Sequence, residues 1–330
     1  MERNFKIDVV VPWVDGSDAN WKKKKSKYVH KAHEAENGEE RFRDFGTLKL
    51  FFDGMTNYAP WVNKIYVVTD NQRPNFKITD NRVVFINHED YIPQMYLPTF
   101  NSNTIEMNFD LIAGLSEHFI IFNDDTILMN PIKSTDFFTE EGVAKDFGAF
   151  RMVRPIEQFS HVVMNNLILI NQVVSKRDHV KSNFFKYFNI KYGFKGMIGL
   201  LTLPDPYWLG WVDPHLPMPY TKELFKKVYD LFPTLREEQS ERKFRTIEDV
   251  SHWIFRYYRL ATGEFSPQNS GNLGVFSALN PDGKLEEVKK ALSKNKKILL
   301  INDVPMTNEQ AMEVQKNLNR IFELHNSREF

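Results

Sequence analysis

Short apolar runs alternate with amphipathic stretches through the first half of the chain. IDVVVPWV (7–14) is a continuous β-branched run of strand length, and it stops at the turn residues Asp15-Gly16-Ser17-Asp18. A helical pattern follows, with Lys22 to Lys25 on a solvated face. FGTLKLFFDGMTNYAP (45–60) reads as a helix that stops before Pro60. KIYVVTD (64–70) and RVVFINHED (82–90) read as strands ending in polar residues. NTIEMNFDLIAGLSE (103–117) carries apolar residues at Ile105, Phe109, Ile112 and Leu115, which predicts a helix capped by Asn103 or Thr104. Phe119 to Phe122 then form another strand, which ends at Asn123, Asp124 and Asp125.

Beyond residue 150 the pattern changes. Residues 151–235 are mostly helical or irregular, with Pro and aromatic residues interspersed. Thr246-x-x-Asp249 resembles a capping box that opens a helix through Val250, Trp253, Ile254 and Tyr257, with Gly263 as its stop. LEEVKKALSKN (285–295) reads as helix and KKILLIND (296–303) as strand. Thr307-x-x-Gln310 opens a final helix that points Met312, Val314, Leu318, Ile321 and Phe322 inward. The alternation predicts an α/β fold: a mostly parallel, twisted, Rossmann-like sheet flanked by helices, with the last strand as one more member. The expected organisation is a single interwoven domain over 1–330. Its core comes from 1–150 and 236–330, and 151–235 form a helical insertion that contributes site residues.

Composition narrows the function classes. At 42% hydrophobic and 14% aromatic, the 330 residues can bury a sizeable core. Lys plus Arg and Asp plus Glu balance at 43 each, which argues against a nucleic-acid partner. There is no cysteine, so disulfides, thiolate metal sites and cysteine nucleophiles are excluded. The first residues do not read as a signal peptide, and no run approaches the roughly 20 apolar residues of a membrane span. A soluble, cytoplasmic protein is expected. GFKGMIGLLTLPDPYWLGW (193–211) is apolar and rich in Gly and aromatics. It reads as a packed irregular loop, with a membrane-surface lip as the alternative.

Four predicted strands end in polar clusters: Asp15-Gly16-Ser17-Asp18, Thr69-Asp70-Asn71, Asn123-Asp124-Asp125 and Asn302-Asp303. Ligands of open α/β sheets bind at such ends. Of two adjacent carboxylates, one can hold a hard cation while the other bonds backbone or a sugar hydroxyl. Mg²⁺ commonly takes one or two carboxylates and leaves its other positions to phosphate and water. Asp124 and Asp125 also suit a plain turn, and both readings stand. No Gly-rich phosphate loop and no zinc or serine-hydrolase motif is present. Side chains, a metal or a helix N-terminus must therefore hold any bound phosphate. Arg245 precedes the helix expected near Thr246, which suits an anion, although a surface ion pair is the plainer role. His215 sits in the Pro-rich DPHLPMPY, rigid non-helical backbone suited to a general base or phosphate contact. Glu106 is either a site carboxylate or a partner of its helix dipole.

Together these segments resemble the Stealth family. IDVVVPWVDGSDANW is similar to its opening block, whose usual form is close to D-V-V-Y-T-W-V-N-G-S-D; Pro12 and Asp15 stand where Thr and Asn are usual. RFRDFGTLKLFFDGMTNYAPWVNKIYVVTDNQRP, continuing through LPTFNSNTIEMNF to HFIIFNDD, resembles the second block. PHLPMPYTKEL resembles the third, and RTIEDVSHWIFRYYRL with ILLIND the fourth. Stealth proteins are sugar-1-phosphate transferases. Bacterial members build phosphodiester-linked capsular or surface polysaccharides, and the animal relative is the alpha/beta subunit of N-acetylglucosamine-1-phosphotransferase. The compact form here resembles the bacterial members.

The resemblance implies transfer of a hexose-1-phosphate or N-acetylhexosamine-1-phosphate from a UDP-sugar to a glycan hydroxyl, with UMP released. It carries the family's functional positions onto Glu106, Asp124, Asp125, His215 and Arg245. Asp125 with Asp124 is expected to hold Mg²⁺ or Mn²⁺, and Arg245 to offset phosphoryl charge. His215 is expected to take the acceptor proton or contact the phosphate, with Glu106 as the competing base. Trp13, Asp15, Gly16, Asp18, Arg41 and Asn123 are expected to bind substrate, with Trp13 and Asp15 near the uridine; a plain core role is the alternative for Trp13. The acceptor is a polysaccharide, in one reading lipid-linked, with peripheral contact at the inner face of the cell membrane. The alternatives are a metal-dependent glycosyltransferase releasing UDP and a non-catalytic glycan-binding protein.

Overall fold

The computed structural model describes residues 5–29, 46–156, 159–279, 282, 284–302, 304 and 306–326. The chain opens on β1 (Ile7–Pro12) and α1 (Ala19–Ser26), then α2 (Thr47–Tyr58), β2 (Ile65–Thr69) and β3 (Val83–Asn87). Next come α3 (Ser102–Met107), β4 (His118–Ile121), β5 (Thr126–Leu128) and the short β6 (Lys145–Asp146). Helices α4 (Ser160–Val173), α5 (Lys176–Tyr187) and α6 (Phe194–Ile198) lead to β7 (Met218–Thr221), α7 (Lys222–Leu231), α8 (Leu235–Ser240) and α9 (Trp253–Thr262). The last elements are β8 (Ser266–Pro267), β9 (Gly274–Ala278), α10 (Glu286–Ser293), β10 (Ile298–Asn302) and α11 (Asn308–Asn326).

The central sheet has the order β3-β2-β1-β4-β7. The first four strands run parallel, and β7 closes the edge antiparallel to β4. Both faces of β1 are covered, which is why its sequence, apart from the buried and hydrogen-bonded Asp8, is apolar and not alternating. The strand period of two divides its residues between two cores. Val10 packs with Val68, Phe119 and Ile121 on one face. Val9 and Val11 pack with Ile65, Val67 and Ile120 on the other. Leu48, Phe51, Phe52 and Met55 of α2 cover the second face, and Phe225, Ile254 and Phe255 of α7 and α9 cover the first. Each such side chain contributes about 1.5–3 kcal/mol by leaving water. Among the described residues no helix is long and apolar enough to cross a membrane.

The mostly parallel α/β architecture agrees with the sequence, but several details differ. Strand β10 does not join the central sheet. It lies between β5, antiparallel, and β9, parallel, in a separate three-stranded sheet. Helices α10 and α11 give this sheet its own core, with Val288, Val314, Leu318 and Phe322. Met312 of α11, expected inward, is exposed. The segment 151–235 is not wholly an insertion, because β7 within it is an edge strand of the central sheet.

Helix α3 is capped by Asn101 and ends at Met107, far short of Glu117. Asn108 stops it: its side-chain amide donates to the Thr104 carbonyl at 2.9 Å and to Ser240 Oγ at 3.0 Å. Residues Ile105, Phe109, Ile112 and Leu115 are nonetheless all buried, carried by a short helix, a 3₁₀ turn and a loop. Helix α9 starts at Trp253, not near Thr246. Residues 246–249 are a turn, and the buried Asp249 accepts from the amides of Asn101 and Asn103, both at 2.9 Å. That carboxylate ties the segment to α3 and does not cap α9.

Candidate active site

Strands β1 and β4 are neighbours in register, with Val10 opposite Ile121, and Phe122 N–H donates to the Val10 carbonyl at 2.9 Å. The Asp15–Asp18 turn and the Asn123–Asp125 turn therefore leave the sheet side by side, at its carboxyl edge. In the first turn, Asp15 Oδ1 accepts from Ser17 N–H at 2.8 Å and Ser17 O–H at 2.6 Å. Gln72 clamps the turn, accepting from Asp15 N–H at 3.0 Å and donating to Asp18 Oδ2 at 3.1 Å. Asp18 caps α1 through Asn20 N–H at 2.8 Å and Trp21 N–H. These bonds, led by that from Gln72, hold its carboxyl below the ordinary carboxylate value. Asp18 is thus occupied in shaping the turn. The Trp13 ring is buried in the core beside Val11 and Leu48, and its indole N–H has no partner among the described residues. Gly16 lies in the turn, half-buried, and Arg41 lies outside the described residues.

In the second turn, Asn123 is exposed and its carbonyl accepts from Thr126 N–H at 3.1 Å. Asp125 as a residue is half-buried, yet its Oδ1 is sealed from solvent and has no hydrogen-bond partner among the described residues. Burial disfavours its charged form and raises the carboxyl from 3.8 to about 7. A buried carboxylate oxygen without a donor suits a cation, which would restore the charged form. No three His, Asp or Glu side chains among the described residues gather as a metal cage. A hard cation held by Asp125, with Asp124 adjacent to it in the turn, would complete its shell with ligand oxygens and water.

Helix α3 and the segment leading into α9 carry the next candidates. Arg245 Nη2 donates to Ser102 Oγ at 2.5 Å. Glu106, one helical turn beyond Ser102, meets His252 Nδ1 through Oε2 at 2.6 Å. Phe244 stacks on Phe100 at 5.2 Å between ring centres, and both pack with Val14 and Trp21. That cluster seats Arg245 next to the Asp15–Asp18 turn. The sequence placed Arg245 at a helix N-terminus; it instead rides a turn bolted to α3.

His215 is exposed, with backbone φ of 50°, in the left-handed region that a non-glycine residue rarely adopts. Its ring meets Trp253 edge-on at 5.2 Å and lies over Phe276 at 5.1 Å. Phe276 and Thr126 both pair with Leu300, so His215 sits over a strand about 10 Å, two strand spacings, from the Asp125 turn. Two residues before His215, Asp213 accepts from Arg256 and, at 2.8 Å, from Tyr257 O–H. Arg256 is fully buried and also pairs with Asp146, 3.0 Å from Nε to Oδ1, while Arg259 pairs with the same carboxylate. Burial alone would raise the Asp146 carboxyl, but Arg256 and Arg259 outweigh it and hold it below the ordinary value. Helix α9 and its N-cap thus hold two groups: His252 meets Glu106, and Trp253, Arg256 and Tyr257 hold the Asp213–His215 segment. His252, Asp213, Asp146 and Arg256 were not singled out from sequence. Arg256 and Arg259, cations in a helix whose other residues are largely apolar or aromatic, were the available signal.

Comparison with known proteins places the chain in a family. Residues 5–32 match the model of Stealth protein conserved region 1, and residues 41–146 that of conserved region 2. The exopolysaccharide phosphotransferase cps2G of Lactiplantibacillus plantarum is 41% identical over 265 residues, 80% of this chain and 78% of that one. The chain belongs to the Stealth family. The capsular polysaccharide phosphotransferase WcwK of Streptococcus pneumoniae is 39% identical over 309 residues, 92% of this Stealth chain and 91% of that one. The receptor polysaccharide phosphotransferase WefC of Streptococcus gordonii is 36% identical over 306 residues, 90% of each. The solved galactosyltransferase LgtC, in complex with donor and acceptor sugar analogs, aligns over 97% of this chain and 95% of that one, with a TM-score of 0.41 at 10% identity. No argument rests on a likeness at that level. Within the two matched Stealth regions lie Trp13, Asp15, Gly16, Asp18, Arg41, Glu106, Asn123, Asp124 and Asp125. His215, Arg245 and His252 lie outside them.

Proposed function

We propose that this chain transfers a hexose-1-phosphate or N-acetylhexosamine-1-phosphate from a UDP-sugar to a hydroxyl of a capsular or surface glycan. The observation that carries the reading is its 39% identity, over nearly its whole length, to a relative named as a capsular polysaccharide phosphotransferase. The acceptor oxygen attacks the β-phosphorus, the bond to the bridging oxygen breaks, and UMP leaves with that electron pair. The acceptor proton passes to a base on the protein.

Such transfer depends on positioning and charge neutralisation more than on covalent chemistry. Asp124 and Asp125 would hold a divalent cation, Mg²⁺ or Mn²⁺, which when bound offsets pyrophosphate charge. Arg245, steered by Ser102, faces the equatorial phosphoryl oxygens. Its planar fork suits them better than a lysine ammonium does. His215 takes the acceptor proton, presented by backbone held from Asp213. Glu106 is the competing base, and His252 is its positioning residue. The Asp15–Asp18 turn, with Gly16 and Asn123, lines the nucleotide pocket, and Trp13 supports that turn from the core. The acceptor is a glycan, in one form lipid-linked, handled in the cytoplasm at the inner face of the membrane.

Phosphorus NMR of the product tests this reading. Incubation with a UDP-sugar and acceptor should give a phosphodiester resonance that depends on both. A product with only a new glycosidic bond and no phosphorus would instead identify a glycosyltransferase.

A further inference from the structure

The segment 151–210 leaves and re-enters the fold at a closed neck, where Phe150 pairs with Trp211 and Arg151 N–H donates to the Gly210 carbonyl at 3.0 Å. Its far end was expected to pack as an irregular loop; it does the reverse. Gly196 and Gly199 face inward, so tightly that an added Cβ would stand 3.1 Å from Tyr192 Cβ and 3.3 Å from Phe150 Cβ. With glycine against the core, the bulky residues of GFKGMIGLL point out. Phe185 is 82% exposed, Ile190 93%, Phe194 74% and Leu201 83%. Met197 and Tyr207 extend the same stretch. Apolar exposure of this density along one short segment marks an interaction surface.

Charge identifies the partner. The chain as a whole is neutral, with 43 cationic and 43 acidic side chains. Between residues 176 and 203, however, Arg177, Lys181, Lys191 and Lys195 are exposed against one carboxylate, Asp178. Apolar side chains rimmed by cations are the pattern of a surface that seats in the interface of an anionic bilayer. We infer that the lip formed by α5, α6 and the 3₁₀ turn after them docks this chain on an anionic lipid membrane. The neck returns to the core four residues before His215. The inference uses the surface alone and does not depend on the donor proposed above.

Vesicle co-sedimentation with the full chain tests it. Phosphatidylcholine vesicles containing phosphatidylglycerol should bind the protein at low salt, and pure phosphatidylcholine vesicles should bind it weakly. Ile190→Ser with Leu201→Ser should lower binding about tenfold or more, as should Lys181→Glu with Lys195→Glu. All these side chains are exposed, so the circular dichroism of each variant should match the wild type. Transfer to a water-soluble oligosaccharide should also be unchanged. Absence of vesicle binding by the wild type, or equal binding by both variants, would overturn the proposal. So would a dimer in solution that Ile190→Ser with Leu201→Ser disperses, since the face would then belong to a second copy. Because the readout is sedimentation, its failure leaves the proposed reaction standing, and failure of the reaction leaves the docking test intact.

Discussion

At the scale of single residues, Asp125 makes the sharpest claim. Its carboxyl is raised to about 7 by burial, above its ordinary 3.8. The fold therefore holds this proton more tightly than the unfolded chain does. The stabilisation is full below about pH 4 and is lost as pH rises through about 7. A cation binds the charged form, so its effect must run the other way. Mn²⁺ should raise the melting temperature more at pH 8 than at pH 6, and Asp125→Asn should abolish the difference. In metal-free protein above pH 7, Asp125→Asn should melt about 2 °C or more higher than wild type. Equal Mn²⁺ shifts at both pH values would remove the cation from Asp125. For the base, His215→Ala should lower turnover about 10²–10⁴-fold without loss of the fold. Near-normal turnover would transfer the role to Glu106. The polar strand ends were legible in the sequence because Asp and Asn interrupt apolar runs conspicuously. The Glu106–His252 contact was not, because 146 residues separate the partners and neither one's neighbours announce the other.

At the scale of elements, α9 organises the site. Its apolar stripe was readable from Val250 to Tyr257. Its true start was not, because Thr246 and Asp249 imitate a cap while Asp249 is buried by the amides of Asn101 and Asn103. A capping pattern and a long-range tether use the same residue types, and only packing separates them. The buried Asp146–Arg256–Arg259–Asp213 group is neutral as a set, two guanidiniums against two carboxylates. Removing one partner strands a buried charge. Asp146→Ala should therefore cost about 3–5 kcal/mol, visible as a lower midpoint in urea. Asp213→Asn keeps the shape but removes one of the two carboxylates. It should lower the midpoint, though by less than Asp146→Ala because Asp213 is the more exposed carboxylate, and reduce transfer about tenfold or more by loosening the His215 segment. Undiminished turnover in Asp213→Asn would mean that α9 does not orient His215.

At the scale of the molecule, the alternation of short runs and amphipathic stretches sufficed for an α/β fold with a mostly parallel sheet. Which sheet each strand joins was beyond it. KKILLIND carries the same apolar signature as the central strands, and its assignment to β5 and β9 depends on the covering helices α10 and α11. The outward face of 193–211 was legible only as the alternative to a packed loop, because hydropathy alone does not say that Gly196 and Gly199 turn inward. The proposed site draws on residues far apart in the chain: the Asp15–Asp18 turn, the Asn123–Asp125 turn, His215 and Arg245. Its central claim is that a phosphorus atom, not an anomeric carbon, is attacked, and the nucleotide released decides this most directly. Purified protein, Mg²⁺ or Mn²⁺, a UDP-sugar and a glycan acceptor should yield UMP in step with acceptor consumed, resolved from UDP by chromatography. Acceptor-dependent UDP in place of UMP would contradict the account and make the chain a glycosyltransferase.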